Sequence, residues 1–187
     1  GTSGMDSVTI DTSAPVIGTV TLAAAPVVTT GWTKSTSVVL TIPQNDVGSG
    51  VQKIVVAGTG FSSLSSATFT VGGVSVTPLV SGGTVTLSSP AASGSSIVIT
   101  GLTLTSGSGK KDIIVTLTDE AGNTDGVSQA SPSINFDGVL PSAPGVAIGT
   151  SGTYQNGTTY YLSGLTADFT LTGAETASGS NVSGWHH

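Results

Sequence analysis

The stretch Ala67–Thr77, ATFTVGGVSVT, limits the fold more than any other. Apolar Phe69, Val71, Val74 and Val76 alternate with polar or small residues on both sides of Gly72-Gly73. Alternation of period two marks a half-buried strand, and a Gly-Gly pair accepts the positive φ of a two-residue hairpin turn. The same signature recurs along the chain. It predicts strands at residues 16–22, 37–43, 51–58, 95–102, 111–119 and 126–136. It also predicts one at residues 82–87, extending the meander after a second Gly-Gly turn. A helical period of 3.6 is missing almost everywhere, so the chain is expected to be all-β.

Composition removes several function classes. Hydrophobic residues make up 37% of the 187, enough for a core, and length alone suggests one or two domains. Charged residues make up only 7%, far below the roughly 25% of ordinary domains. Lys34, Lys53, Lys110 and Lys111 are the only cationic side chains besides the two histidines, and the net charge is −6. Such a surface cannot neutralise a run of phosphates or hold anionic lipid, so nucleic-acid partners and direct membrane insertion are not expected. The absence of cysteine removes disulfides, thiolate metal sites and cysteine nucleophiles. Cys-free, acidic and rich in Ser, Thr, Gly and Val, the chain reads as extracellular or cell-surface, with any export signal outside this segment.

Internal similarity organises the rest. The linker at Asp11, DTSAPVIG, returns loosely at Asp137 as DGVLPSAPGVAIG. The segment 30–51 matches 158–182, pairing Trp32 with Tyr161, Leu40 with Phe169, Asp46 with Glu175, and Ser49-Gly50 with Ser178-Gly179. The start of the chain, ending Ser7-Val8-Thr9-Ile10-Asp11, is similar to the stretch ending Ser133-Ile134-Asn135-Phe136-Asp137. Residues 1–10 therefore read as the last strand of a preceding repeat or an added leader. Residues 11–136 read as one complete repeat, and 137–187 as the first strands of another.

The linker, the Trp32-Thr33-Lys34 entry to a Val-rich strand, NDVGSGVQKIVV and IIVTLTDEAGN together resemble the bacterial immunoglobulin-like repeats of large adhesins and surface-layer proteins. The longer span between Thr59 and Ser95 departs from that pattern. The resemblance implies an immunoglobulin-like Greek-key β-sandwich. It implies a structural or spacer role whose partners are neighbouring repeats, other copies of the protein, and a host or cell-surface glycan.

In such a sandwich the linker shares one pole with the loops holding the acids. That pole would gather Asp11, Asp46, Asp119, Glu120, Asn123 and Asp125; Asp137 and Glu175 would repeat the scheme. Converging hard oxygens suit Ca²⁺, which the resembling repeats use to stiffen joints. Asx-turn chemistry explains the same residues without an ion, so the two readings stay open here. The spacing is not that of an EF-hand.

Catalysis is not expected. His186 and His187 sit at the extreme C-terminus, leaving no Ser-His-Asp set. A glycosidase pair drawn from Asp46, Asp119 and Glu120 would sit on an exposed loop, in a chain with no Arg and few aromatics to hold sugar. An isopeptide bond from Lys34 or Lys53 to Asn135 lacks a clear buried acid, and solvated lysines are the simpler reading. Trp32 reads as a core or edge-capping aromatic rather than a sugar platform. Asn156 and Asn181 match the glycosylation pattern at near-chance frequency. The rival function is a ligand- or carbohydrate-binding module built on the span from Thr59 to Ser95.

Overall fold

The computed structural model describes residues 8–24, 31–125 and 132–140, together with the backbone of four later strands. These residues are all-β, without a helix, and divide into two compact units with the boundary between Gly138 and Val139. In the first unit the strands are β1 (Val16–Ile17), β2 (Thr21–Ala23), β3 (Trp32–Thr33), β4 (Ser37–Asn45), β5 (Val51–Ala57), β6 (Phe61–Ser63) and β7 (Thr68–Val71). They continue as β8 (Val74–Val76), β9 (Leu79–Ser81), β10 (Thr84–Ala91), β11 (Ser96–Leu104), β12 (Gly109–Asp112), β13 (Ile114–Asp119) and β14 (Ser133–Phe136). In the second unit β15 (Gly145–Ile148) pairs with β18 (Phe169–Thr172), and β16 (Thr153–Asn156) with β17 (Thr159–Leu162).

The first unit has a sandwich-like build. One sheet runs β1-β4-β11-β7-β8, with β2 also on β4 and β6 also on β11. A second runs β13-β5-β10-β9, and a third β12-β14-β3. Every pairing is antiparallel except the parallel contact of β14 with β3. Val38, Leu40 and Ile42 of β4 alternate inward, opposite Leu102, Ile99 and Ile97 of β11 respectively. Ile54 and Val56 of β5, Val85 and Leu87 of β10, and Val115 and Leu117 of β13 complete the same core from the other sheet. Gly101, at φ 88°, inserts one extra residue into β11. That bulge resets the alternation, so Leu102 and Leu104 point inward although Ile97 and Ile99 have the opposite parity.

Three strand expectations needed correction, two of them at prolines. Residues 16–22 were expected as one strand but split into β1 and β2. The Gly18 amide donates to the carbonyl of Pro43 (2.8 Å), and Pro43 has no N–H to return to the ladder. Residues 82–87 were expected to extend the β7–β8 meander. Instead the chain leaves β8 at Thr77-Pro78 and enters the other sheet as the β9–β10 hairpin. Residues 111–119 also split, at buried Ile113: β12 pairs with β14 and β13 with β5. Of the strand expected at 126–136, Ser133–Phe136 forms β14, and residues 126–131 lie outside the described set.

Candidate metal centre

Asp46 opens the connection from β4 to β5, Asp119 ends β13, and Asp11 lies on the segment leading into β1. One carboxylate oxygen from each comes within 4.8 Å of the others. Asp46 and Asp119 are 2% and 3% exposed.

The turn after β13 is built by Asp119 itself. Its Oδ1 accepts from the Asn123 amide and its Oδ2 from Asn123 Nδ2, both at 2.8 Å. The Gly122 amide closes onto the Asp119 carbonyl (3.3 Å). The Asp119 side chain thus caps the amide four residues on, rather than the amide two residues on that defines an Asx-turn. Asn123 also donates through Nδ2 to the Asp11 carbonyl (3.1 Å), tying that turn to the incoming segment.

Asp11 is held from the opposite side. Its Oδ2 accepts from the Ser49 amide (2.7 Å) and hydroxyl (2.8 Å), and its Oδ1 from the Ser13 amide (3.0 Å). Ser49 Oγ also accepts from the Ala121 amide (3.2 Å), so one hydroxyl links all three loops. A side chain on Gly48 would run into the Asp11 carboxylate, which seats the acid where only glycine leaves room. Hydrogen bonds from the Ser13 amide, and then from Ser49, hold the Asp11 carboxyl below its ordinary value.

Asp46 is the unsatisfied member. Its Oδ2 accepts from the Gly50 amide (2.5 Å), and its Oδ1 is buried with no hydrogen-bond partner. Burial pushes this carboxyl up; the Gly50 amide works against that, and the charges of Asp11 and Asp119 push further up. None of the three forms an ion pair among the described residues, where the ion pair is Lys110–Asp112 (2.9 Å). An orphaned buried oxygen beside two like charges calls for a proton or a cation. The donor set fits a hard cation: with Ca–O bonds of roughly 2.3–2.6 Å, ligand oxygens must lie within about 5 Å of one another.

Not every predicted ligand joins. Glu120 is exposed and engages through its amide, which donates to the Gly50 carbonyl (3.0 Å). Asp125 falls outside the three-carboxylate group, past the Thr118–Thr124 bridge, with its amide on the Leu117 carbonyl (3.1 Å). Asp137 follows β14, where its amide donates to the Thr33 carbonyl (2.8 Å) and its Oδ1 accepts from Ser108 (3.0 Å). Glu175 lies outside the described residues. Gly48 and Ser49 were missed as site residues. For Ser49 the available signal was the recurrence of Ser49-Gly50 as Ser178-Gly179; Gly48, opposite Ala177 in that match, carried none.

Elsewhere, Lys34 and Lys53 are exposed, and Lys53 lies in a different sheet from Asn135. Lys111 is buried instead. Its Nζ donates to Thr105 Oγ1 (3.2 Å) and the Ser106 carbonyl (3.3 Å), 5.7 Å from the centroid of Phe136. Trp32 is half-buried on β3. A cleft of about 640 Å³ opens between the β7–β8 hairpin and β9. Leu64, Phe69 and Val76 contribute its apolar lining, and Thr68, Ser75 and Thr77 bring hydroxyls.

No family model, curated protein or solved structure matches this chain.

Proposed function

We propose that this chain is a structural spacer from a tandem array of immunoglobulin-like Greek-key sandwiches on a microbial cell surface, with Ca²⁺ fastening the incoming linker to the sandwich. The observation that carries the clamp is the partnerless, buried Oδ1 of Asp46 beside Asp11 and Asp119. Asp46 and Asp119 belong to the sandwich and Asp11 to the linker, so one shared ion joins the two. A fixed linker makes a stiff joint, which is what a spacer needs.

The repeat reading draws support from the second unit. There β15, which follows the linker at Asp137, pairs antiparallel with β18, which begins at Phe169. In the first unit β1 and β2, which follow Asp11, pair antiparallel with β4, which contains the matching Leu40. The parallel β3–β14 contact and the β12–β14 pairing are compatible with an immunoglobulin-like order.

Thermal melting of the metal-free chain with and without added Ca²⁺ tests the clamp. A cation bound by the folded state raises the midpoint in proportion to RT ln(1 + [Ca²⁺]/Kd). An unchanged midpoint up to millimolar Ca²⁺ would sink it.

The cleft favours a second reading, a binding module for an uncharged, hydroxyl-bearing ligand such as a neutral glycan. Its size lies in the range of ligand pockets, and its lining carries no charged side chain. Amide shifts at Thr68, Phe69 and Ser75 on titration with neutral oligosaccharides would support that reading.

A further inference from the structure

Val8 and Ile10 are 86% and 82% exposed, although their alternation is that of a half-buried strand. The matching residues of the downstream copy are Ile134 and Phe136, at 8% and 6%. Both pairs share one register: Val8-Thr9-Ile10-Asp11 aligns with Ile134-Asn135-Phe136-Asp137. In the downstream copy the strand fills a slot. Asn135 lies opposite Lys110 of antiparallel β12 and opposite Trp32 of parallel β3. Residues 8–10 belong to no strand and pair with none of the described strands. The slot they fit in this chain is already occupied by β14.

We infer that residues 8–10 are a donated strand that completes another sandwich of this kind, entering the slot between its β12 and β3 in the register of β14. The inference rests on the tandem-repeat reading and adds its joint. The occupant is committed by the shared pattern: a second copy of the fold supplies the slot, and Thr9 takes the place of Asn135. Strand addition satisfies the open backbone, and the slot takes the two apolar side chains. Asp11 follows Ile10 directly, so the donated strand would end one residue before the carboxylate cluster.

The chain has no cysteine, so an engineered pair reports the register cleanly. An acceptor chain carries Ile134→Asp and Phe136→Asp to vacate its slot. Val8→Asp and Ile10→Asp in the same acceptor prevent self-filling, and Lys110→Cys marks the register. The donor is the full chain with Thr9→Cys; Val8→Cys is the control on the other face. Direct cross-strand partners have Cβ atoms close enough to link, so the Thr9 donor should give roughly tenfold more mixed disulfide than the Val8 donor. If the vacated acceptor does not fold alone, its ¹⁵N spectrum should regain dispersion when unlabelled donor is added. Equal linking by both donors, together with an acceptor spectrum that the donor leaves unchanged, would overturn the proposal. That failure beside a surviving calcium shift would remove strand donation and leave the clamp standing.

Discussion

Replacing Asp46 by Asn keeps the shape of the side chain and its acceptor for the Gly50 amide, and removes one charge. The partnerless Oδ1 position can then present NH₂ to the neighbouring carboxylates. Two full charges within 4.8 Å, as for Asp46 and Asp119, repel by about 3 kcal/mol at an effective dielectric near 20. Solvent relaxation and partial protonation absorb some of that, leaving a net gain of about 2 kcal/mol for the metal-free variant. For a unit of this size that corresponds to about 8 °C in midpoint. With Ca²⁺ at a hundred times its Kd the wild-type chain gains about 2.7 kcal/mol, or about 10 °C, while Asp46→Asn gains almost nothing. Calorimetric melting in EDTA and in Ca²⁺ reads both effects on one pair of proteins. The reasoning is refuted if the variant melts below wild type in EDTA, or if Ca²⁺ stabilises the two equally. A variant that melts higher beside a wild type indifferent to Ca²⁺ would make the cluster a proton site.

Three further outcomes follow from the same geometry. In EDTA, the raised Asp46 carboxyl favours the folded state at low pH, and this contribution is lost as pH rises from 3.8 through its folded value. The lowered Asp11 carboxyl acts in reverse, its contribution disappearing as pH falls below 3.8 toward its folded value. The advantage of Asp46→Asn should therefore grow with pH above 3.8 and then level off, as read by melting across a pH series. Gly48→Ala displaces the Asp11 carboxylate and should weaken Ca²⁺ on the order of tenfold in a calorimetric titration; it should also lower the metal-free melt, because the same shift disturbs the Ser49 bonds to Asp11. Lys111→Ala removes the stem packed near Phe136 and should cost about 2 kcal/mol in urea unfolding, while Lys111→Met, which keeps the stem, should cost less than half of that.

The β7–β8 hairpin was legible because its signal is local: alternating apolar residues and a Gly-Gly turn with φ 56° and 83°. Asp11, Asp46 and Asp119 were legible as companions because each sits where a strand or linker meets the same end of the sandwich. What the sequence hid was set by partners distant along the chain. Ser49 acts through its amide and hydroxyl toward partners far along the chain, and Gly48 through the absence of a side chain; neither has a compositional signature. The division of 111–119 depends on β14 and β5 claiming different halves. Pro43 and Pro78 were visible, but their effect on strand breaks appeared only once the neighbouring ladder was known. Nothing in the sequence set Lys111 apart from Lys34 and Lys53; its burial follows from Thr105, Ser106 and Phe136 closing around it.

The position of a bound cation is the most direct test of the clamp. Crystals grown in Ca²⁺, or soaked in Tb³⁺ for its anomalous signal, should show one strong peak bounded by oxygens of Asp11, Asp46 and Asp119, each at roughly 2.3–2.6 Å in the Ca²⁺ form. The Oδ1 of Asp46 should be one of those oxygens. Water or no density at that point in millimolar Ca²⁺, with Asp46 turned toward a protonated contact, would contradict the account.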